Sequence, residues 1–320
     1  MTSFLSLFQA LPPIISIILL IILFVILGFS ANQVINNVRS LASKLGVPVF
    51  LLGLILGVLT SFPEVVVSIN ALFNGLPSLI TGNLFGGIIV MLSLVLGISI
   101  ILNRGINNDG NYTFLFLALG YILLPLLLAL KGSLNVIDGL VLVILYFLLI
   151  WRLYRTNQGG LNLRISFLRG NKILRELLMI IFGIIIIVIS ANFIVKITSD
   201  LLIEYNLSAY LVGLLFFPLG TNLPELTVAI ASWRRKAGEL SFSTLLGSSL
   251  TNILIIGVLA MTRSFSIVRD YSHFVTLIFL VVLSVFLIIF YRSGKRLSRL
   301  EGAGLLLIYI LFVIFQLKSF

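Results

Sequence analysis

The chain has 320 residues, 60% of them hydrophobic and 10% charged, with a mean hydropathy of +1.24. So little polar side chain cannot clothe a water-soluble globule, which excludes soluble enzymes and soluble binding domains and indicates a membrane protein. The formal net charge of +11 sits in connections between apolar runs, and the absence of cysteine excludes disulfides, thiolate catalysis and Cys-ligated metals.

Ten uninterrupted apolar runs follow in order, near residues 14–36, 49–73, 79–102, 112–130, 135–151, 176–198, 207–232, 243–262, 271–291 and 302–317. Continuous rather than alternating hydrophobicity predicts helices, not barrel strands. The fifth and tenth runs are short for a bilayer and predict short or tilted spans. No basic residue precedes Arg39, so the first run is expected to be a permanent span and not a cleavable signal. The longest polar connection, Arg152 to Arg175, divides the chain into residues 1–155, a basic linker at 156–175, and residues 176–320.

The basic residues carry topological information. Sixteen of the 21 lie in the connections after the first, third, fifth, seventh and ninth runs, and only Lys131, Lys196, Arg263, Arg269 and Lys318 lie elsewhere. The positive-inside rule then puts the odd-numbered connections, including 152–175, in the cytoplasm and both termini outside. Five spans per half force the second half to enter the membrane in the opposite orientation to the first. The expected fold class is an all-α membrane protein of ten transmembrane helices in two inverted five-helix repeats, with broken helices at a central ion site.

The two halves also share sequence. Thr60-Ser61-Phe62-Pro63-Glu64 is answered 161 residues later by Thr221-Asn222-Leu223-Pro224-Glu225. Upstream, Ser30-Ala31-Asn32 matches Ser190-Ala191-Asn192 and Gly53 matches Gly213, at an offset of 160. Downstream, Gly86 aligns with Gly247, Gly87 with Ser248 and Met91 with Asn252, at 161. Glu64 and Glu225 are the only acids deep inside apolar runs, where a carboxylate is costly and marks a functional site.

Proline explains why the motif holds its acid where it does. Pro63 and Pro224 remove a backbone donor and clash with the preceding turn, so the second and seventh spans should break into half-helices there. Carbonyls freed near Thr60 and Thr221 then need partners, and a cation supplies one. Each glutamate follows at the start of the next half-helix, where the dipole favours negative charge. Two carboxylates, two carbonyls and water form an all-oxygen site suited to a hard divalent ion such as Ca²⁺. No His or Cys is near enough in sequence to favour a softer metal.

The paired motifs, each followed by a span bearing Gly-Asn-Leu-Phe-Gly-Gly (82–87) or Ser-Thr-Leu-Leu-Gly-Ser-Ser (243–249), resemble the two alpha repeats of the sodium/calcium exchanger branch of the calcium:cation antiporter superfamily. The resemblance implies an antiporter, not an enzyme, that exports Ca²⁺ in exchange for Na⁺. It implies Glu64 and Glu225 as calcium-coordinating carboxylates, with Thr60 and Thr221 adding backbone oxygens. Ser61, Asn222, Ser248 and Asn252, with the two glutamates, would line the Na⁺ or H⁺ sites, and the first and sixth spans would slide to alternate access. The expected setting is a plasma membrane of prokaryotic type, with the lipid bilayer and the transported ions as partners. No cofactor, nucleic acid or obligate protein partner is expected, and the short linker leaves no room for a large cytoplasmic regulatory domain.

The departures bear on coupling. Exchangers of this type usually carry polar residues where Gly87 and Met91 stand, and often an acid at Asn252. Two carboxylates balance one Ca²⁺, two Na⁺ or two H⁺, so proton-coupled exchange of Ca²⁺, Mg²⁺ or Mn²⁺ is the alternative; a third Na⁺ would make the cycle electrogenic, at ~2.3 kcal/mol per 100 mV. Gly82 with Gly86, and Ser243 with Gly247, are small-xxx-small pairs that helix packing explains. Asn32 and Asn192 suit interhelical hydrogen bonding as well as a gate. Trp151 and Trp233 read as interfacial anchors, and His273, at a span boundary, carries no assigned role. A passive channel lined by carboxylates is less consistent with broken helices in inverted halves, and a hydrolase lacks a nucleophile–base set.

Overall fold

The computed structural model describes residues 12–44, 59–107, 112–156, 171–234, 238–267, 270–294 and 296–318. Gly53 and most of the 156–175 linker lie outside them. The fold is helical, and each helix follows an apolar run: α1 (Pro13–Lys44), α2 (Phe62–Phe73), α3 (Pro77–Ile89), a π-helical turn (Val90–Val95) leading into α4 (Leu96–Leu102), α5 (Tyr112–Ala129), α6 (Val136–Thr156), α7 (Asn171–Glu204), α8 (Ala209–Leu215), α9 (Phe217–Thr221), α10 (Leu223–Arg234), α11 (Gly238–Thr262), α12 (Tyr271–Ser293) and α13 (Arg299–Leu317). Seven of these helical stretches are long and apolar enough to cross a membrane, counting Pro77–Leu102 as one.

Two helices outrun their apolar stretches. α1 has 32 residues and α7 has 34, because both continue into polar turns at their ends. At 1.5 Å per residue they are about 48 and 51 Å long, well beyond a hydrocarbon core of ~30 Å. They pack along each other and turn Ile14, Ile21, Phe29, Leu178, Phe182 and Ile185 outward. Such a contiguous apolar exterior suits lipid and not water. The innermost elements are the reverse: Pro77–Leu102 and α11 bury most of their surface.

The packing partners exchange in pairs. α2 lies on α7 as α10 lies on α1; α4 lies on α13 as α6 lies on α11; α5 contacts α12, α6 packs on α5 and α13 on α12. Two short antiparallel ribbons tie the connections together. β1 (Ile106–Asn107), after α4, pairs with β4 (Arg296–Leu297), before α13, while β2 (Ser133–Leu134), before α6, pairs with β3 (Phe265–Ser266), after α11.

Glycine allows a close backbone contact between α3 and α8. A Cβ at Gly82 would strike the Tyr210 carbonyl, one at Gly86 the Leu214 carbonyl, and one at Gly213 would lie 2.5 Å from the Leu79 carbonyl. The packing reading of Gly82 and Gly86 therefore holds. It fails for Gly247, whose added Cβ would meet nothing within 4 Å. Trp151 is exposed, with the Arg155 guanidinium 4.1 Å from its ring centroid, as an interfacial anchor would be. The Trp233 side chain lies outside the described residues.

At α13 the Ser298 side chain accepts from the Glu301 amide, while Glu301 accepts from the Ser298 amide, a complete capping box. Ser298→Ala should cost about 1 kcal/mol. Thermal denaturation in detergent should show a small drop in midpoint with helix content retained.

Candidate functional site

The two Thr-X-X-Pro-Glu motifs break helices as their prolines require. α2 begins at Phe62 with Pro63 in its first turn, after Ser61 at φ −85° and ψ 9°. α10 begins at Leu223 with Pro224, after Asn222 at φ −86° and ψ 16°. The amides of Val65 and Leu226 resume the ladder on the Ser61 and Asn222 carbonyls, both at 3.1 Å. Among the described residues, no backbone amide donates to the Thr221 carbonyl one position earlier. A further break, at Phe216, separates α8 from α9; Pro218 in the first turn of α9 is its cause, and it was not anticipated from the sequence.

Glu64 and Glu225 thus stand in the first turns of two half-helices, each only 1% exposed. The repeats cross over at the site: the Glu64 carboxylate lies beside the Thr221 hydroxyl, and that of Glu225 beside the hydroxyls of Thr60 and Ser248. The two acids are near enough for their charges to act on one another. Yet neither carboxylate accepts a well-formed hydrogen bond. Thr60 Oγ1 and Ser248 Oγ are 2.9 Å apart, and Thr221 donates to Asn83 Oδ1 at 3.3 Å and to the Phe217 carbonyl at 3.2 Å.

The amides complete the set. Asn222 Nδ2 donates to the Pro218 carbonyl at 2.9 Å and Asn252 Nδ2 to the Leu84 carbonyl at 3.3 Å, which leaves both Oδ1 atoms without a partner. Both amides lie near Gly87: a Cβ there would be 2.8 Å from Asn252 Nδ2 and 3.4 Å from Asn222 Nδ2. Buried, unpartnered oxygens therefore include both of Glu64, both of Glu225, and the Oδ1 atoms of Asn222 and Asn252. Buried polar groups are almost always hydrogen-bonded, so such a group of orphans implies a ligand that accepts lone pairs. A dehydrated cation is that ligand, and oxygen donors with a formal charge of −2 suit a hard divalent ion.

Every residue expected at the site is buried: Thr60, Ser61, Glu64, Thr221, Asn222, Glu225, Ser248 and Asn252. Met91 is buried and contributes no oxygen. Asn83 was missed, although it is the amide of the 82–87 motif and aligns with Thr244. Ser68 was missed as well; it is fully buried one turn past Glu64, with its hydroxyl unpartnered, and its counterpart is Ala229.

Two acids near helix starts are also buried: Asp138 pairs with Lys131 at 2.5 Å, and Glu176 accepts from Ser40 at 2.5 Å, tying α7 to α1. Among the buried acids described, Glu64 and Glu225 remain distinct in having both oxygens unpartnered. His273 stands in the first turn of α12, at the span boundary read from the sequence, and is fully buried there, 6.2 Å from the Tyr210 ring. Asn192 donates to Asn70 at 3.0 Å, the interhelical bond foreseen for it.

Comparison with known proteins decides the family. The sodium/calcium exchanger protein model matches residues 15–155 and 175–318, nearly the whole chain and both halves. The chain belongs to the sodium/calcium exchanger family. It is 25% identical over 289 residues to an uncharacterised membrane protein of Methanocaldococcus jannaschii, covering 90% of this chain and 93% of that relative. It is 24% identical to the sodium/calcium exchanger MaX1 of Methanosarcina acetivorans, covering 93% of this chain and 97% of MaX1. Among solved structures it resembles the sodium-calcium exchanger NCX_Mj soaked with Na⁺ and Sr²⁺, with a TM-score of 0.68 at 22% identity over 94% of this chain and 98% of that one. At that identity the likeness speaks to the fold alone. As a member of this family the chain is an integral membrane transporter.

Proposed function

We propose that this exchanger is a secondary active antiporter that exports Ca²⁺ in exchange for Na⁺ by alternating access, with Ca²⁺ bound between Glu64 and Glu225. The observation that carries the reading is the set of buried oxygens without hydrogen-bond partners, contributed by both motifs and by Asn252. Backbone carbonyls of Thr60 and Thr221 add ligands, each one residue before the break at Ser61 or Asn222. Ser61, Asn222, Ser248 and Asn252 serve the Na⁺ sites together with the same glutamates. A carboxylate pair that balances Ca²⁺ cannot balance Ca²⁺ and two Na⁺ at once, so the ions compete, which is what coupled exchange requires.

The proposed architecture is ten spans in two inverted five-helix repeats, residues 1–155 and 176–320, joined by a cytoplasmic linker at 156–175, with both termini outside. It is supported by the pairwise exchange of packing partners and by the ribbons, which join connections of equal parity. The distribution of basic residues supports the orientation. α1 and α7, packed along each other and each against the other half's site-bearing helix, are the pair suited to slide.

One feature favours a second reading. Gly87 and Met91 deprive the first repeat of two side-chain oxygens, so H⁺ in place of Na⁺, with Ca²⁺ or another divalent ion such as Mg²⁺ or Mn²⁺, is the alternative. Uptake of radiolabelled Ca²⁺ into proteoliposomes tests both. An outward Na⁺ gradient is expected to drive uptake at uniform pH; uptake that needs a pH gradient and ignores Na⁺ would replace Na⁺ by H⁺.

A further inference from the structure

A cavity of about 720 Å³ lies between the first half of α1, the end of α7 and the α8–α10 segment. Its inner wall is formed by Leu20, Phe24, Leu202, Val212, Phe217 and Leu223, and its mouth is edged by Ile17, Ile21 and Val25, which face outward from α1. Water would not fill it, since a buried water needs two to four polar partners and this wall is almost wholly apolar. Its size falls in the range of sites that enclose small ligands, ~300–1,000 Å³.

Position identifies the occupant. The rim lies at helix ends, by Pro13 at the start of α1 and Tyr205 just beyond α7. Tyr205 is exposed there and combines an apolar ring with a polar tip, as residues at the lipid–water interface do. From Pro13 to Phe24 the cavity follows α1 for eleven residues, about 17 Å at 1.5 Å per residue. That is about half the ~30 Å hydrocarbon core, the depth of one leaflet. The mouth opens between outward-facing apolar side chains of membrane-spanning helices, so the medium in contact with it is hydrocarbon.

We propose that this cavity is a binding site for one acyl chain of a membrane phospholipid, entering from the leaflet that holds the start of α1. The chain would then form part of the packing between α1 and the ion-bearing segment. At the floor Phe24 meets Phe217 edge to face, with centroids 5.3 Å apart, and a Cβ at Gly28 would lie 2.7 Å from the Leu223 side chain. Thr221, Asn222 and Glu225 are within a few residues of these contacts. A chain wedged there changes how α1 can move against α9 and α10.

The test uses the full chain reconstituted in phosphatidylcholine vesicles containing a phosphatidylcholine with a diazirine near the end of one acyl chain. After irradiation, adducts are mapped by peptide mass spectrometry. Adducts are expected on Phe217 and Leu202, only 1% and 7% exposed, as well as on the lipid-facing Ile14 and Ile18. Leu202→Trp, which fills the cavity, should remove the Phe217 adduct while Ile14 and Ile18 stay labelled; Val212→Phe is the second filling variant should the first not fold. Labelling confined to Ile14, Ile18 and their outward neighbours would overturn the proposal. So would a Phe217 adduct that survives both filling variants, and an unlabelled Phe217 would point instead to residues 1–11 or a second copy as the occupant. The inference depends on membrane placement and not on the ion chemistry, so the outcome is independent of Ca²⁺ uptake.

Discussion

Glu64→Gln and Glu225→Gln should each reduce Na⁺-driven Ca²⁺ uptake by at least about 100-fold. Each glutamine keeps the shape of the side chain and removes half the charge available to a divalent ion. Losing one member of a buried charge pair costs about 3 kcal/mol or more, and 1.4 kcal/mol is a factor of ten. A structural role for these acids predicts instead that each glutamine destabilises the protein whether or not ion is present. With no ion bound, the carboxylates are buried, unpartnered and mutually repulsive, so each glutamine should leave the ion-free protein as stable as before or more so. Ca²⁺ should raise the melting midpoint of the parent protein through its preferential binding to the folded state, and that rise should vanish in both variants. Uptake that persists in either variant would remove it from the site.

The second large effect is steric. Gly82→Leu and Gly86→Leu should yield no monodisperse folded protein, and Gly213→Leu should behave alike. Their added atoms would meet backbone carbonyls of the facing helix, which cannot rotate out of the way as a side chain can. Separation of α3 from α8 is the only relief, and overpacking of this kind costs about 3 kcal/mol or more once a whole helix pair must part. It would also pull Asn83 from Thr221, so any folded remainder should bind ions poorly. Gly247→Ala is the control: it is the counterpart of Gly86, its Cβ would enter open space, and it should be neutral. Size-exclusion chromatography and thermal denaturation in one detergent compare the series. Equal behaviour of Gly86→Ala and Gly247→Ala would contradict the packing described.

These two sets of residues were not equally legible. Glu64 and Glu225 stand out from sequence because a carboxylate in an apolar run is costly and therefore rare, and because proline announces a broken helix from its covalent structure alone. Continuous hydrophobicity likewise located the runs that the described helices follow. Their ends were less accurate: α1 and α7 extend past their apolar stretches, since a helix hydrogen-bonds its own backbone and does not stop where hydrophobicity does.

Side chains whose meaning depends on partners far along the chain were not legible. Nothing around residue 83 or residue 221 reveals that Asn83 accepts from Thr221, and the duplicated motif gives no sign that each glutamate lies beside the threonine hydroxyl of the opposite repeat. Gly86 and Gly247 align in the repeats, yet one touches a backbone and the other faces open space. Glu176 lies at the end of an apolar run in the sequence, and only the packed helices bring Ser40 beside it. Composition, hydrophobic period and proline act within a few turns of helix, so they establish the membrane class, the family motif and the acids. Which lone pairs remain unpaired, and which glycines are compressed, depends on contacts across more than a hundred residues of chain, and only the packed helices supply those.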